Sequence, residues 1–414
     1  MHAGNFGASQ PRTKESHDLH LAKIVEKPND NEARTNSGVS GDSVLHSNPH
    51  FHLTRNKLYD IMHDILLGVG PWEVKLMLHH YIIELKLFTV KFFNLRVTFF
   101  KYGVLESRNR PQDSLTRTAF TNRNDHTLKQ SAAQMWLLLR ALPFILRDKV
   151  PENDKHMELI LYLLKIMEIC FAPKLDTGIL PYLSALITEH HELFLEIYPE
   201  FHLINKHHHM VHYAQCIREF GPLLHMWCMR FEAKHQELKR YAHIVCNFKN
   251  PPKTLIRVRQ AVQAAEWGNG AFRLHSFKSD SGETVDVSQT RSALHLKEHL
   301  GLKDVDKVFK SEKVTVNGAL YQKSFFVCIE SVHPDNGLPV FGNIQEILCI
   351  NEEVFLLVRQ EKTELLDVSL NAFLISKGNA NRLLAVSQLA HYKAYNSWAV
   401  PSGSESFISM PHIV

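Results

Sequence analysis

Two short stretches of this chain hold side chains able to bind metal or move protons. In the segment YDIMHDILLG, from Tyr59 to Gly68, Asp60, His63 and Asp64 fall within five residues between Ile61, Met62, Ile65 and Leu66. On a helix, Asp60 would share a face with His63 and Asp64, because positions three and four apart lie one above the other. Two readings fit these residues. Asp60 caps a helix by accepting backbone N–H bonds, or it is a metal-binding carboxylate at a strand end with His63 as a nearby donor. The second stretch, KHHHMVHYAQCIREFGPLLHMWCMRFEAKHQELKR, runs from Lys206 to Arg240. His208 and His212 are spaced to share a helical face, which suits a transition metal, although a surface or capping role is equally open. Glu232 lies among Arg230, Lys234, Lys239 and Arg240. It belongs either to a solvated helix face or to a metal site whose neighbouring cations neutralise phosphates. Lys249, Lys253, Arg257 and Arg259 keep the following region basic.

The scaffold that must position these residues is bounded by composition. A chain of 414 residues can bury sizeable cores and is expected to form two or three domains. An apolar share of 44% excludes wholesale disorder. The net charge of +4 is only mildly basic, so any nucleic-acid footprint must come from local clustering. The 27 histidines read either as surface imidazoles or, for a few, as a metal or catalytic centre. Cys170, Cys216, Cys228, Cys246, Cys328 and Cys349 form no C-x-x-C pair, which predicts free thiols in a reducing compartment. The first residues are polar, without the apolar stretch of a secretory signal. The most apolar window, Tyr81 to Leu105, is broken by Glu84, Lys86, Lys91, Arg96 and Lys101, so no membrane span is expected. A soluble, intracellular protein follows as the expectation.

Along the chain, residues 1–47 read as a disordered leader, and Phe51-His52-Leu53 as a short strand. From Trp72 to Pro199 apolar positions recur at three- and four-residue spacing, as in a packed helical block. The segment FTVKFFNLRVTFFKY within it is β-branched enough to be ambiguous. Ser131 is placed to cap a helix ending near Arg147-Asp148, and Asp154 and Asp176 precede two more. A break is expected after Gln260, with residues 261–311 as a linker. Asn317-Gly318 between strand-like runs predicts a hairpin, and residues 312–414 a small antiparallel sheet or barrel.

Taken together, these stretches resemble eukaryotic transposon-encoded proteins of the CACTA-like group, related at their catalytic core to Transib transposases and the vertebrate antigen-receptor recombinase. Asp60, Met62, His63, Asp64, Ile65 and Gly68 match a D-x-M-H-D-I-x-E-G-type motif. Lys129 to Trp136 match K-Q-S-A-x-Q-M-W, Trp227 to His235 match W-C-M-R-F-E-A-K-H, and N-F-K-N follows at Asn247 to Asn250. The match covers about Phe51 to Gln260 in the right order, and the C-terminal region with LPVFGNI at Leu338 to Ile344 is similar to the tail such proteins carry.

The resemblance implies a mainly α chain with α+β parts. Residues 48–260 would be a partial RNase H-like core, interrupted by a helical insertion at about 71–205, before the small antiparallel β domain. It implies a cut-and-paste, DDE-type DNA transposase in which three acidic residues hold two Mg²⁺ ions that drive phosphoryl transfer. Asp60 corresponds to the second acidic residue and Glu232 to the third, with His63 and Asp64 supporting the motif. Their carboxylates would have to lie within about 4–8 Å of each other to share two ions. Arg230, Lys234, Lys239, Arg240 and Lys249 become DNA-binding residues, and His208 with His212 match the histidine half of a zinc site whose cysteine pair is absent. The implied partners are transposon-end DNA and further copies of the chain, with no membrane or small-molecule substrate, and the implied compartment is the nucleus. Three departures predict a catalytically incompetent remnant or truncated product. No early apolar strand ends in the first acidic residue, since Asp18, Asp30 and Asp42 follow none. Most of the RNase H-like sheet is missing with that strand. Leu67 stands where the motif has Glu. An active transferase completed by another segment, and a protein-interaction module, are the alternatives.

Overall fold

A computed structural model describes residues 12–246, 249–268, 277–334, 336–401 and 403–413. The part expected to be a disordered leader carries two helices, α1 (Lys14–Glu26) and α2 (Asn31–Ser37). The polar residues that suggested disorder are the ones that start and stop these helices. Thr13 and Ser16 form a capping box, the Asp30 side chain accepts from the Ala33 N–H, and Gly38 closes α2 in the left-handed conformation. The strand expected at Phe51-His52-Leu53 is also absent: the chain turns there, with the His52 N–H bonded to Asn56 Oδ1 at 2.7 Å.

A long helical rod follows, made of a π-helical turn (Met62–Val69), α3 (Gly70–His79) and a second π turn (His80–Glu84). Pro71 accounts for the first irregularity. It has no N–H to give to the carbonyl four residues back, so the Leu67 carbonyl leaves the helical ladder. Lys206 Nζ donates to that oxygen at 3.0 Å instead. The ambiguous segment after Phe88 is helix α4 (Val90–Phe99), started by the Thr89 side chain on the Phe92 N–H. α5 (Arg117–Thr121) is short, and α6 (Ala132–Leu146) begins at the expected Ser131 cap, reciprocated by Gln134. α7 (Lys155–Cys170) is capped by Asp154, and α8 (Leu180–Ile197), α9 (Asn205–Met210) and α10 (Tyr213–Phe220) complete the body. Its core runs from Ile61 and Ile65 through Leu138, Leu142, Ile160 and Leu183 to Tyr213 and Trp227.

α11 (Met229–Val245) and α12 (Pro251–Gly268) then form a helical hairpin in which no residue is buried. α12 runs straight through the boundary expected at Gln260. The described part of the expected linker is structured as well, because α12 continues to Gly268, β1 (Phe277–Asp286) pairs antiparallel with β2 (Lys307–Val316), and α13 (Ala293–Leu300) lies between them. The turn Asn317-Gly318 has φ of 49° and 82°, the mirror-image conformation that hairpins favour, and joins β2 to β3 (Ala319–Gln322) in the register Val316↔Ala319. Strands β4 (Phe326–Glu330), β5 (Val340–Ile350), β6 (Glu353–Gln360), β9 (Asn381–Ala385) and β10 (Ala394–Tyr395) extend this sheet, entirely antiparallel and bent by register shifts in β1, β4 and β5. A second sheet orders β11 (Ser406–Ile408), β8 (Ala372–Ser376) and β7 (Lys362–Asp367).

The fold is thus α+β, with helices first and antiparallel sheet after, and among the described residues no strand precedes Phe277. The two parts share a core. Leu370, Ala372, Trp398 and Phe407 from the sheet region pack into the helical cluster. Asn371 Nδ2 reaches Glu168 Oε1 at 2.8 Å, and the Trp398 indole N–H donates to the Tyr102 carbonyl at 3.1 Å. The C-terminal region is therefore a wall of the helical body rather than a free-standing appendage. No helix among the described residues is long and apolar enough to cross a membrane.

Candidate functional site

Helix α9 carries His207, His208 and His209 in a row, and about 100° of rotation per residue sends the three rings to three different places. His207 turns inward, where its Nε2 lies 3.2 Å from Glu73 Oε1 on α3. His209 Nδ1 reaches Asp64 Oδ1 at 2.8 Å, and Tyr213 OH donates to Asp64 Oδ2 at 3.2 Å. Burial pushes the Asp64 carboxyl above its usual value despite both bonds. Asp64 therefore ties the π turn to α9 and α10 and faces away from Asp60. His208 meets His212 with their Nε2 atoms 3.3 Å apart, and Tyr59 stacks against His212 and His209. The two histidines expected to share a helical face do meet, but across the turn between α9 and α10, since α9 ends at Met210; among the described residues no third ligand joins them.

Gly68 sits where this network crosses the rod. A Cβ there would lie 2.1 Å from Lys206 Cδ and 2.9 Å from the His63 carbonyl oxygen, so the motif glycine leaves room for the lysine that satisfies the Leu67 carbonyl. Gly68→Ala is expected to lower stability by about 1–3 kcal/mol, and Lys206→Ala in the same chain to recover part of that loss. Denaturant midpoints of the two singles and the double test this, and strict additivity would refute it.

Asp60 lies at the start of the rod, half-buried. Its Oδ1 accepts the Met62 N–H at 3.1 Å, as a cap does. The same oxygen accepts the Cys228 N–H at 3.1 Å, at the N-terminus of α11, 168 residues along the chain. Its Oδ2 meets His63 Nδ1, and His63 Nε2 lies 3.4 Å from Glu232 Oε1 in the first turn of α11. One imidazole ring thus separates the two carboxylates. Partial burial pushes the Asp60 carboxyl up, but the bonds from His63 and the two N–H groups outweigh it and hold it below its usual value. The N-terminus of α11 is a favourable place for both negative charges. Trp136 contacts Trp227 edge to face at 5.9 Å, which brings the Lys129–Trp136 motif to the same junction.

The chemistry open to this arrangement follows from its donors. Asp60, His63 and Cys228 offer an oxygen, a nitrogen and a sulfur atom within 4.8 Å of one another. Such a mixed set does not fit Mg²⁺, which takes oxygen ligands. Thiol catalysis is disfavoured too. Both His63 nitrogens face carboxylates, and burial with the charges of Asp60 and Glu232 pushes the Cys228 thiol above its usual value, away from the reactive thiolate.

Beyond the junction projects the α11–α12 hairpin. Residues 229–268 hold eight Lys and Arg against three Glu, a net +5 that exceeds the charge of the whole chain. Lys234 pairs with Glu237 at 3.3 Å, and Arg259 lies 3.5 Å from Glu266. Arg230, Lys239 and Arg240 are exposed without a carboxylate partner among the described residues, and Lys249 is exposed in the turn. Asn247 and Phe248 of the N-F-K-N motif lie outside the described residues. Comparison with protein-family models, with curated proteins and with solved structures finds no match.

The sequence motifs did not reveal a second polar cluster. Glu73 is fully buried in the rod, with His190 Nε2 at 3.1 Å, His207 at 3.2 Å, and His191 Nε2 on the His207 carbonyl at 2.9 Å. A charge inside the apolar run GPWEVKLML was the available signal, since a helix buried all round must pair whatever charge it carries.

Proposed function

We propose that this chain derives from a cut-and-paste, DDE-type DNA transposase, that it binds DNA weakly through its basic hairpin, and that it does not cleave DNA. In this reading the helical body is the insertion of a partial RNase H-like core, the partner is duplex DNA and the compartment is the nucleus. The observation that supports it most is the meeting of Asp60 and Glu232 at opposite nitrogens of His63, since the first and third motifs are far apart in sequence. A two-metal centre needs carboxylate oxygens around both ions. Among the described residues only two carboxylates converge here, beside an imidazole and a thiol, and Asp64 is engaged elsewhere. Those facts favour a site that has lost strand cleavage. They also make the site's present role structural, a clasp that seats α11 on the rod.

Two measurements test this. Supercoiled plasmid with Mg²⁺ or Mn²⁺ is expected to stay uncut, and cleavage that Asp60→Ala or Glu232→Ala abolishes would restore the enzyme reading. Duplex binding is expected to weaken steeply with salt. Neutralising Arg230, Lys239 and Arg240 together should lower the log–log salt slope by about 0.9 for each phosphate that these side chains had neutralised. Absence of any salt-sensitive binding would leave the hairpin as a protein-interaction surface, consistent with the exposure of Phe231, Ile244 and Trp267.

A further inference from the structure

The segment ahead of the rod has almost no apolar core. Among the described residues from 12 to 52, four are buried, and two of those, His17 and His52, are histidines. They converge on one carboxylate: Asp18 Oδ1 lies 3.4 Å from His17 Nδ1 and 3.1 Å from His52 Nε2. All three donor atoms fall within 4.8 Å of one another. A tetrahedral ion with ligands at about 2.0–2.1 Å places neighbouring ligand atoms about 3.3–3.4 Å apart, so the 3.4 Å edge already has that length and the 3.1 Å edge is slightly short of it.

The rings are also held in orientation. His52 Nδ1 meets Thr54 Oγ1 at 2.8 Å, which leaves Nε2 to face Asp18. His46, bonded to Asp42 through its Nδ1 at 2.9 Å, stacks on His52 with ring centroids 4.7 Å apart and planes within 1°, and meets His17 edge to face at 5.3 Å. Partners of this kind fix the tautomer and direction of metal-binding imidazoles. Asp18 is half exposed, so the fourth corner of a tetrahedron opens to solvent. Two nitrogens and one carboxylate oxygen suit a zinc-class ion rather than Mg²⁺ or Ca²⁺.

We propose that His17, Asp18 and His52 bind one divalent transition-metal ion of the zinc class, which clips α1 to the loop carrying His52. This site stands apart from the transposase reading and survives if that reading fails. The full chain, stripped with a chelator, is titrated with Co²⁺ as an optical probe and with Zn²⁺ by calorimetry. One equivalent is expected, with a visible Co²⁺ spectrum that lacks a thiolate charge-transfer band, which separates this site from the cluster containing Cys228. Asp18→Asn with His52→Ala should weaken binding by more than the 10–100-fold that loss of an orienting partner costs, and Thr54→Val by about 10-fold. Zn²⁺ should also slow proteolysis between residues 27 and 57 in the wild type and leave the double variant unprotected. Unchanged affinity in the double variant, a persistent thiolate band, or no binding would overturn the proposal and leave a hydrogen-bonded histidine knot.

Discussion

Glu73→Ala is expected to cost the helical body about 3–5 kcal/mol, the usual consequence of removing one partner from a buried ionic cluster. Glu73 is wholly enclosed, and its carboxylate is the common acceptor for His190 on α8 and His207 on α9. Burial alone would push its carboxyl up. The charge of His190 and the bonds from both imidazoles outweigh that and hold it at about 2. Truncation leaves two enclosed imidazoles without their acceptor and a cavity where the side chain stood. Glu73→Gln should cost less, because an amide can accept from one ring and donate to the other if that ring changes tautomer. The carboxylate's contribution also has a pH signature. Its folded value lies below the ordinary 4.5, so the unfolded chain binds the proton more readily. That stability is present above pH 4.5 and is lost as pH falls toward 2, by about 3 kcal/mol in all. Denaturant titrations of wild type, Glu73→Gln and Glu73→Ala measure the order. Equal stability of all three would sink the assignment.

Mild acid should weaken the seam between helical body and sheet through two histidines. His391 and His412 are buried against each other with ring centroids 4.6 Å apart, close to Tyr395, Lys393 and Arg140. Burial, with His412 and Lys393 beside it, pushes His391 down to about 3. Burial, with Lys393 and Arg140 beside it, pushes His412 down to about 4. Both are bases held neutral in the fold, while in the unfolded chain they take up a proton near pH 6.5. Between those values the unfolded state binds more protons. Their contribution is therefore full above pH 6.5 and declines as pH falls toward 4, by about 1.4 kcal/mol per unit for each ring. Over two units the pair amounts to about 5 kcal/mol, comparable with the whole stability of many domains. Glu168, bonded to Asn371 from the sheet side, works against them, since burial raises its carboxyl to about 7. The folded state holds that proton while the unfolded chain releases it above 4.5, so this contribution grows as pH falls from 7 to 4.5. One carboxyl offsets about half of what two rings lose, and the wild type should still decline. Replacing both histidines with Gln should make that decline shallower between pH 6.5 and 4.5, while other enclosed rings such as His191, held down at about 3 by burial, keep their share of it. The same slope in wild type and double variant would show that the two rings are not enclosed in solution.

Much of the local architecture was legible in the sequence because its causes are local. Ser131, Asp154 and Asp176 cap the turns they precede, and Asn317-Gly318 turns the chain where it stands. Each effect involves neighbours within four residues. The polar leader misled for the same reason: Thr13, Asp30 and Gly38 are helix signals as much as signs of disorder, and composition does not distinguish the two. The boundary at Gln260 failed because no residue of α12 is buried and its half-covered face continues past Gln260 through Gln263 and Glu266, so no apolar stripe marked its continuation.

The candidate site divides along the same line. Amino-acid types and spacing were enough to single out Asp60, His63 and Glu232, to pair His208 with His212, and to mark the basic run from Arg230 to Arg259. Folding alone decided that His63 stands between the two carboxylates, that Cys228 brings a thiol and an N–H to Asp60, and that Asp64 turns away to His209 and Tyr213. It also decided that Glu73 pairs with His190 and His207, and that His17, Asp18 and His52 meet. Apart from the local pairs Asp60–His63 and His17–Asp18, those contacts join positions 34 to 169 residues apart. A linear pattern records what each residue can do and which helix it can start; which donor faces which acceptor is set by the packing of whole helices, whose burial energy outweighs any single polar contact.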